Sequence, residues 1–182
     1  MEYRKTIRLK DGRECLLRNG TPADAEAVLE NYILTHAQTD YLASYPDEVT
    51  LTVEPERSYL QKKAENPGEI HLLAELDGKV VGTAGIDGLA SYAKARHRAS
   101  FGISIDRAFW GLGIGRALTR ACIECARSAG YVQLELETVA GNKTALSLYE
   151  SEGFTEYGRN PRGFRSRFSG WQELVLMRLE LE

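Results

Sequence analysis

The sequence predicts a mixed α/β domain on a central, mostly antiparallel sheet of about seven strands flanked by about four helices. Three observations predict it. Short alternating apolar runs bounded by Asp-Gly and Asn-Gly signals read as hairpin strands. Longer runs with apolar residues at i, i+3, i+4 and i+7 read as amphipathic helices. The two kinds interleave along 182 residues with no repeat, low-complexity tract or linker between them. One domain over residues 1–182 is therefore expected.

In order, Lys10-Asp11-Gly12-Arg13 is a turn between strands at 3–9 and 14–17. Thr21, with Pro22 at the first helical position and Asp24 in the first turn, caps a helix expected to reach about His36. A polar, aromatic segment covers 39–52, and 54–65 reads as a shorter helix ending at Asn66-Pro67-Gly68. Residues 70–76 and 80–86 flank Asp77-Gly78 as the clearest hairpin. Residues 99–105 form a strand, and 114–129 a helix whose apolar stripe includes Ile114, Leu118, Ala121, Cys122 and Cys125, with Gly130 ending it. A strand at 133–139, a helix at 143–152 and strands at 154–158 and 173–179 complete the order. The arginine-rich run from Arg159 to Arg167 reads as a charged turn before the last strand, in preference to a nucleic-acid patch, since the pI is near 5.7.

Composition bounds the function. Hydrophobic content of 43% and charged content of 27% are ordinary for a globular chain, and no apolar run is long enough to cross a bilayer. The charged opening, Met1-Glu2-Tyr3-Arg4-Lys5, leads into no apolar stretch, so cytoplasmic residence without membrane contact is expected. Cys15, Cys122 and Cys125 do not form a disulfide framework. Cys122 and Cys125 lie on a helical stripe and read as core thiols; the alternatives, a redox pair or a zinc site, lack a second Cys/His pair, and no metal is expected. The net charge of −3 is uneven: residues 1–90 hold 10 cationic against 16 acidic side chains, and residues 91–182 hold 13 against 10.

The positive half contains Trp110-Gly111-Leu112-Gly113-Ile114-Gly115-Arg116, between a strand and a helix. Glycines let a ligand approach the main chain closely. A helix opening there aims free N–H groups and its positive dipole end at an anion. The dinucleotide fingerprint Gly-x-Gly-x-x-Gly requires glycine where Arg116 stands, and a P-loop requires a Gly-Lys-Ser/Thr triplet that is absent. A loop with glycine only for tight packing is the structural alternative.

A second motif lies downstream: Asn142-Lys143-Thr144-Ala145-Leu146-Ser147-Leu148-Tyr149-Glu150-Ser151-Glu152-Gly153-Phe154. With the glycine loop, it resembles the GNAT superfamily of N-acetyltransferases. Gly113 and Gly115 match that family's Arg/Gln-x-x-Gly-x-Gly/Ala loop. Asn142, Ala145, Leu148, Tyr149, Gly153 and Phe154 match its Asn-x-x-Ala-x-x-Leu-Tyr-x-x-x-Gly-Phe segment. The resemblance spans nearly the whole chain, with little signature over 36–66.

The resemblance implies transfer of an acetyl group from acetyl-CoA to a primary amine of a small molecule, protein or peptide, by direct attack in a ternary complex. It implies that the amides of Gly111, Leu112, Gly113, Ile114, Gly115 and Arg116 hold the pyrophosphate, with Arg116 adding a charge-assisted contact. The main chain of Ile103, Ser104 and Ile105 would hold the pantetheine. Trp110 stands where the family carries Arg or Gln, and reads as packing under the loop or as touching ligand. Asn142 is a helix cap, a cofactor ligand, or both; Lys143 meets phosphate or is solvated. Tyr149, four positions after Ala145 on one helical face, reads from spacing alone as a core residue; the resemblance implies that it is the acid for the departing thiolate, since a phenol near pKa 10 stays protonated above an ordinary thiol at about 8.5.

For the base that takes the amine's proton, Glu135, Glu137 and His97 are candidates, and Glu137 is the one carried forward. His36 and His71 receive no role. A silent CoA-binding sensor and a nucleotide-dependent enzyme are the rival readings. Segments 39–48 and 159–170 are expected to build the acceptor pocket. A homodimer through the C-terminal strands is compatible with the pattern, and no nucleic-acid partner is expected.

Overall fold

The structure, a computed structural model, describes residues 1–48 and 52–181, so residues 49–51 of the expected polar segment lie outside the described residues. The first turn signal folds as read: β1 (Arg4–Arg8) pairs antiparallel with β2 (Glu14–Asn19), and Gly12 takes a φ of 91°. Residues Pro22–Asp24 form a single 3-10 turn, so helix α1 (Ala25–Gln38) starts later than a cap at Thr21 implies. The Asp24 carboxylate accepts the Thr21 N–H at 2.8 Å and the Arg18 guanidinium at 2.7 Å, which gives that turn its fixed geometry.

Helix α2 (Val53–Glu65) leads to the hairpin β3 (Ile70–Leu76) and β4 (Lys79–Gly88). Asp77 and Gly78 both have positive φ, 51° and 76°, as a two-residue hairpin turn of this hand requires. Then follow β5 (Arg98–Ile105), α3 (Ile114–Ser128), β6 (Gln133–Val139), α4 (Lys143–Ser151), β7 (Thr155–Ser166) and β8 (Gly170–Glu180). The described residues form eight strands in one sheet, one for each strand segment read along the sequence and close to the seven or so of the expected fold class, in the order β1-β2-β3-β4-β5-β6-β8-β7. Every neighbouring pair is antiparallel except β5 with β6.

One expectation is corrected. The arginine-rich run is strand, because β7 continues to Ser166 and carries Arg159, Arg162 and Arg165 within it. Its pairing with β8 is interrupted between Asn160 and Phe164, and the charged side chains stand on an exposed edge, where alternation with water-facing residues is satisfied.

Side chains alternate across the sheet, and each face has its own core. Leu72 and Ala74 join Leu118, Ala121 and Cys122 of α3 in the larger core, together with Leu134, Tyr149 and Phe154. Leu73 faces the other way, into Ala25, Val28 and Leu60 of α1 and α2. Cys15, Cys122 and Cys125 are free and buried, and burial pushes the Cys125 thiol up to about 11. Thiols held protonated in a core are poor nucleophiles and metal ligands.

Candidate active site

β5 and β6 are paired at Arg98 with Gln133, Ala99 with Leu134 and Ser100 with Glu135. Beyond Ser100, β5 runs on to Ile105 beside β4, and β6 to Val139 beside β8. The sheet therefore splits into a wedge that opens toward the C-terminal ends of the two strands. Asp106 donates its N–H to the Val81 carbonyl at 2.9 Å. Alternation along an antiparallel pair then turns the main chain of Ser104 toward β4, and that of Ile103 and Ile105 toward the wedge. A strand edge left unpaired inside a protein is a template for an extended ligand with its own amides.

The glycine loop closes the wide end. Gly111 and Gly113 have φ of 78° and 100°, a left-handed conformation that costs a residue with a side chain, and a Cβ at either would meet open space. Gly115 differs: a Cβ there would lie 3.3 Å from Ile105 and 3.4 Å from Leu148, so its glycine lets α3, α4 and β5 converge. Among the described residues, no main-chain N–H from 111 to 116 donates to another group of the fold. Four or more free donors at the start of a fifteen-residue helix fit a pyrophosphate.

Arg116 does not lean over that cradle. Its guanidinium reaches Ser151 at 3.1 Å and Glu152 at 3.3 Å, and Arg120 reaches the same carboxylate at 2.7 Å. Trp110 is half exposed rather than packed under the loop, with its indole N–H donating to the Ile105 carbonyl at 2.8 Å and the Arg107 guanidinium 5.6 Å from its ring. Asn142 caps α4, its Oδ1 accepting the Ala145 N–H at 3.3 Å, and Lys143 is exposed beside it.

Tyr149 is buried, with Phe101 and Phe154 around it at ring distances of 6.0 and 5.9 Å. Phe101 is the first β5 residue past the last pair with β6, so the phenol stands over the point where the wedge begins. Burial pushes the Tyr149 hydroxyl well above its ordinary value, and it is protonated at neutral pH.

The three candidate bases separate. Glu135 is buried at the closed end, ion-paired with Arg98 and accepting from Gln133 and from Tyr157; the Arg98 hydrogen bond holds it below the usual carboxylate range. His97 sits before the first paired residues, its carbonyl accepting from Val132 at 3.0 Å, at the end away from the opening. Glu137 lies one pleat further into the wedge than Glu135, on the same face and exposed. That face is opposite to the one bearing Leu134, Leu136 and Tyr149. Gly85 and Gly102 pair across β4 and β5 on the Glu137 side and leave a floor without side chains, with Thr83 and Ser104 as the next pair.

Sequence reasoning missed what holds the wall over this floor. Gln38 donates to the Asp106 carboxylate at 2.8 Å and accepts the Arg107 N–H at 2.8 Å, at the end of β5. Tyr41 lies against Gly141, just past the end of β6, where a Cβ would be 3.7 Å from its ring. Residues 38–41 thus cross the mouth of the wedge. Asp40 then accepts Ser166 at 2.6 Å, Ser169 at 2.9 Å and Gln172 at 3.0 Å, joining this segment to the β7–β8 turn. No local signal could have found contacts between residues more than 120 positions apart.

A parallel pair split into a wedge, with a glycine loop of free N–H groups opening a helix at its mouth and a buried phenol at its root, has the shape and donors for an extended ligand that carries an anionic group. The model of the acetyltransferase (GNAT) family matches residues 32–154. The chain belongs to that family, and its activity is N-acetyl transfer from acetyl-CoA to an amine. It is similar to the L-amino acid N-acetyltransferase AaaT of Escherichia coli, 29% identical over 142 residues, covering 78% of this chain and 83% of the relative. It is also similar to the L-amino acid N-acyltransferase MnaT of Escherichia coli, 26% identical over 166 residues, covering 91% of this chain and 94% of the relative. Among solved structures, an acetyltransferase of the GNAT family from Streptococcus pneumoniae superposes with a TM-score of 0.87 at 28% identity, over 92% of this chain and 99% of the other.

Proposed function

We propose that this single domain acetylates the α-amine of free amino acids, with Glu137 and Tyr149 acting from opposite faces of the wedge. The acetyl-CoA arm enters along the free edge of β5, its amides meeting the main chain of Ile103 and Ile105, while the N–H groups of 111–116 hold its pyrophosphate. Asn142 and Lys143 stand at the start of α4 to meet the same arm. An N–H of that free edge polarises the thioester carbonyl. The amine approaches over the Gly85–Gly102 floor, gives up its proton to Glu137 or to a water on it, and attacks directly. Tyr149 then donates to the leaving thiolate from the other face. With Cys122 and Cys125 buried in α3, a covalent cysteine intermediate has no nucleophile to use.

The observation that carries the mechanism is the placement of the two groups on opposite faces of one split strand pair. The observation that carries the acceptor class is the alignment with an L-amino acid N-acyltransferase along 91% of this chain, well beyond the cofactor-binding half. We place the enzyme in the cytoplasm, a reading supported by three free buried cysteines, and a homodimer fits the exposed edge of β7. Release of CoA thiol with a panel of free amino acids, their amides, short peptides and diamines tests the acceptor. A free amino acid is expected to have the highest kcat/KM, its amide and peptides at least about tenfold lower, as loss of one charge-assisted contact implies. A peptide or diamine preferred over every amino acid would overturn the assignment.

A further inference from the structure

Past Ser100 and Glu135, β5 and β6 are no longer paired, so the sheet alone does not fix how far apart their C-terminal ends stand. That separation matters to the chemistry, because the thioester is to lie along β5 while Glu137 stands on β6. Reacting atoms must sit about 3–3.5 Å apart, and a displacement of about 1 Å costs on the order of 10²-fold in rate.

The segment from Gln38 to Asp40 spans the gap, and its anchors are side chains with no part in the chemistry so far described. Gln38 ends α1 and spends both atoms of its amide on the end of β5: Nε2 donates to the Asp106 carboxylate and Oε1 accepts the Arg107 N–H, each at 2.8 Å. Two residues on, Asp40 is anchored to the β6 side. Its Oδ2 accepts from Ser166 Oγ at 2.6 Å, Ser169 Oγ at 2.9 Å and Gln172 Nε2 at 3.0 Å, and Gln172 also donates to the Asp40 carbonyl at 3.1 Å. These partners sit on the β7–β8 hairpin, and β8 is bonded to the end of β6: Val139 pairs with Leu174, and the Ala140 N–H donates to the Glu173 carbonyl at 2.9 Å. The receiving end is itself fixed, since Ser166 is only 8% exposed and its Oγ accepts the Phe168 and Ser169 N–H groups at 2.9 and 3.0 Å.

Two residues of chain reach at most about 7 Å, so the span between the anchors has little slack. Hydrogen bonds to a carboxylate are roughly twice as strong as neutral ones. The exposed ion pairs of Arg167 with Asp47 and Glu48, further along the same segment, are screened by solvent and add little. We infer, on the placement of thioester and base proposed above, that Gln38 and Asp40 form a tie across the split strand pair that sets the width of the wedge, and that Asp40 is a positioning residue for acetyl transfer. The tie does not touch the pyrophosphate cradle, so cutting it costs rate rather than cofactor affinity.

The test uses Asp40→Ala, Gln38→Ala and the double variant, with whichever acceptor of the panel above has the highest kcat/KM, so that the acceptor class can fail without the tie failing. Each single variant is expected to lose about tenfold or more in kcat while calorimetric CoA affinity stays within about twofold. A tie cut at one end is already slack, so the double variant should be within about twofold of the slower single variant. Asp40→Asn keeps an oxygen for the serine and glutamine donors and should recover most of the loss. Spin labels on Ala108→Cys and Thr144→Cys, both exposed and at the two ends of the gap, read its width without turnover, because the native cysteines are buried. Asp40→Ala should give a longer or broader distance distribution.

An unchanged distance, losses that multiply in the double variant, or CoA affinity that falls in step with kcat overturns the tie while leaving the acetyltransferase reading intact. A distance that widens while kcat stays put overturns the positioning role, and with it the placement of thioester and base on the two strand edges. If Asp40→Ala does not fold, the Ser166→Ala/Ser169→Ala variant removes two of the three donors from the other side and carries the same measurements.

Discussion

Two side chains, Tyr149 and Glu137, carry the proposed chemistry, and they differ in what the fold does to them. Tyr149 is enclosed by Phe101 and Phe154 and held protonated by burial. Tyr149→Phe keeps the ring and the packing and removes the donor. Turnover should fall by on the order of 10²-fold, the usual worth of general acid catalysis, while CoA affinity stays within about twofold. Steady-state rates beside calorimetric CoA binding read both, and undiminished turnover would refute the assignment. Glu137→Gln should lower kcat/KM by on the order of 10²-fold at neutral pH; an unchanged rate transfers the base to water. Tyr149 could be singled out before folding because a motif surrounds it. Glu137 could not be separated from Glu135 by spacing, since both share one strand face. Only Arg98, a partner 37 positions away in the chain, takes Glu135 out of play.

At the level of elements, each glycine of the loop has a different task. Gly113 is the residue before α3 and needs its φ of 100°; Gly115 makes room for Ile105 and Leu148. Gly113→Ala forces a Cβ into a left-handed conformation, at a cost of about 1–2 kcal/mol. It should raise the KM for acetyl-CoA several-fold with a smaller effect on kcat, because the donors of the cradle turn away and the acid does not move. Gly115→Ala instead acts on packing, since its Cβ would stand 3.3 and 3.4 Å from the side-chain ends of Ile105 and Leu148, and should move the melting temperature while leaving the KM for acetyl-CoA near its original value. Donor titrations and melting curves separate the two. The loop and both motif-bearing helices were legible because turn φ, caps and helical periodicity are properties of a few adjacent residues. The arginine run in β7 was misread as a turn, since pairing with β8 across a register shift outweighs its charge and its Pro161-Arg162-Gly163.

For the whole molecule, the face of the sheet that bears Glu137 carries a pH-dependent element of stability. Burial, and Lys63 nearby, push the His71 imidazole down to about 4, and its Nε2 has no partner among the described residues. The folded state therefore binds the proton less readily than the unfolded chain, whose imidazole titrates near its ordinary value of about 6.5. The stability from neutral His71 is fully present above about 6.5 and is lost as pH falls through about 4. Melting temperature should drop across that window, and His71→Gln should flatten the part of the slope due to this group. A slope unchanged in the variant would assign the acid sensitivity to the carboxylates. This behaviour was invisible in the sequence, where His71 is one residue of an alternating strand.

The sequence by itself determined the alternation of strands and helices, the glycine cradle and the tyrosine after Asn142. These depend on period, backbone conformation and spacing within about a dozen residues, and local energetics decide them. The tertiary structure decided that β5 and β6 pair only at Arg98, Ala99 and Ser100 and then part. It also decided which carboxylate is left exposed in the wedge, and that residues 38–41 cross its mouth. Those depend on hydrogen-bond register and charge pairing between segments far apart in the chain, which no local pattern encodes.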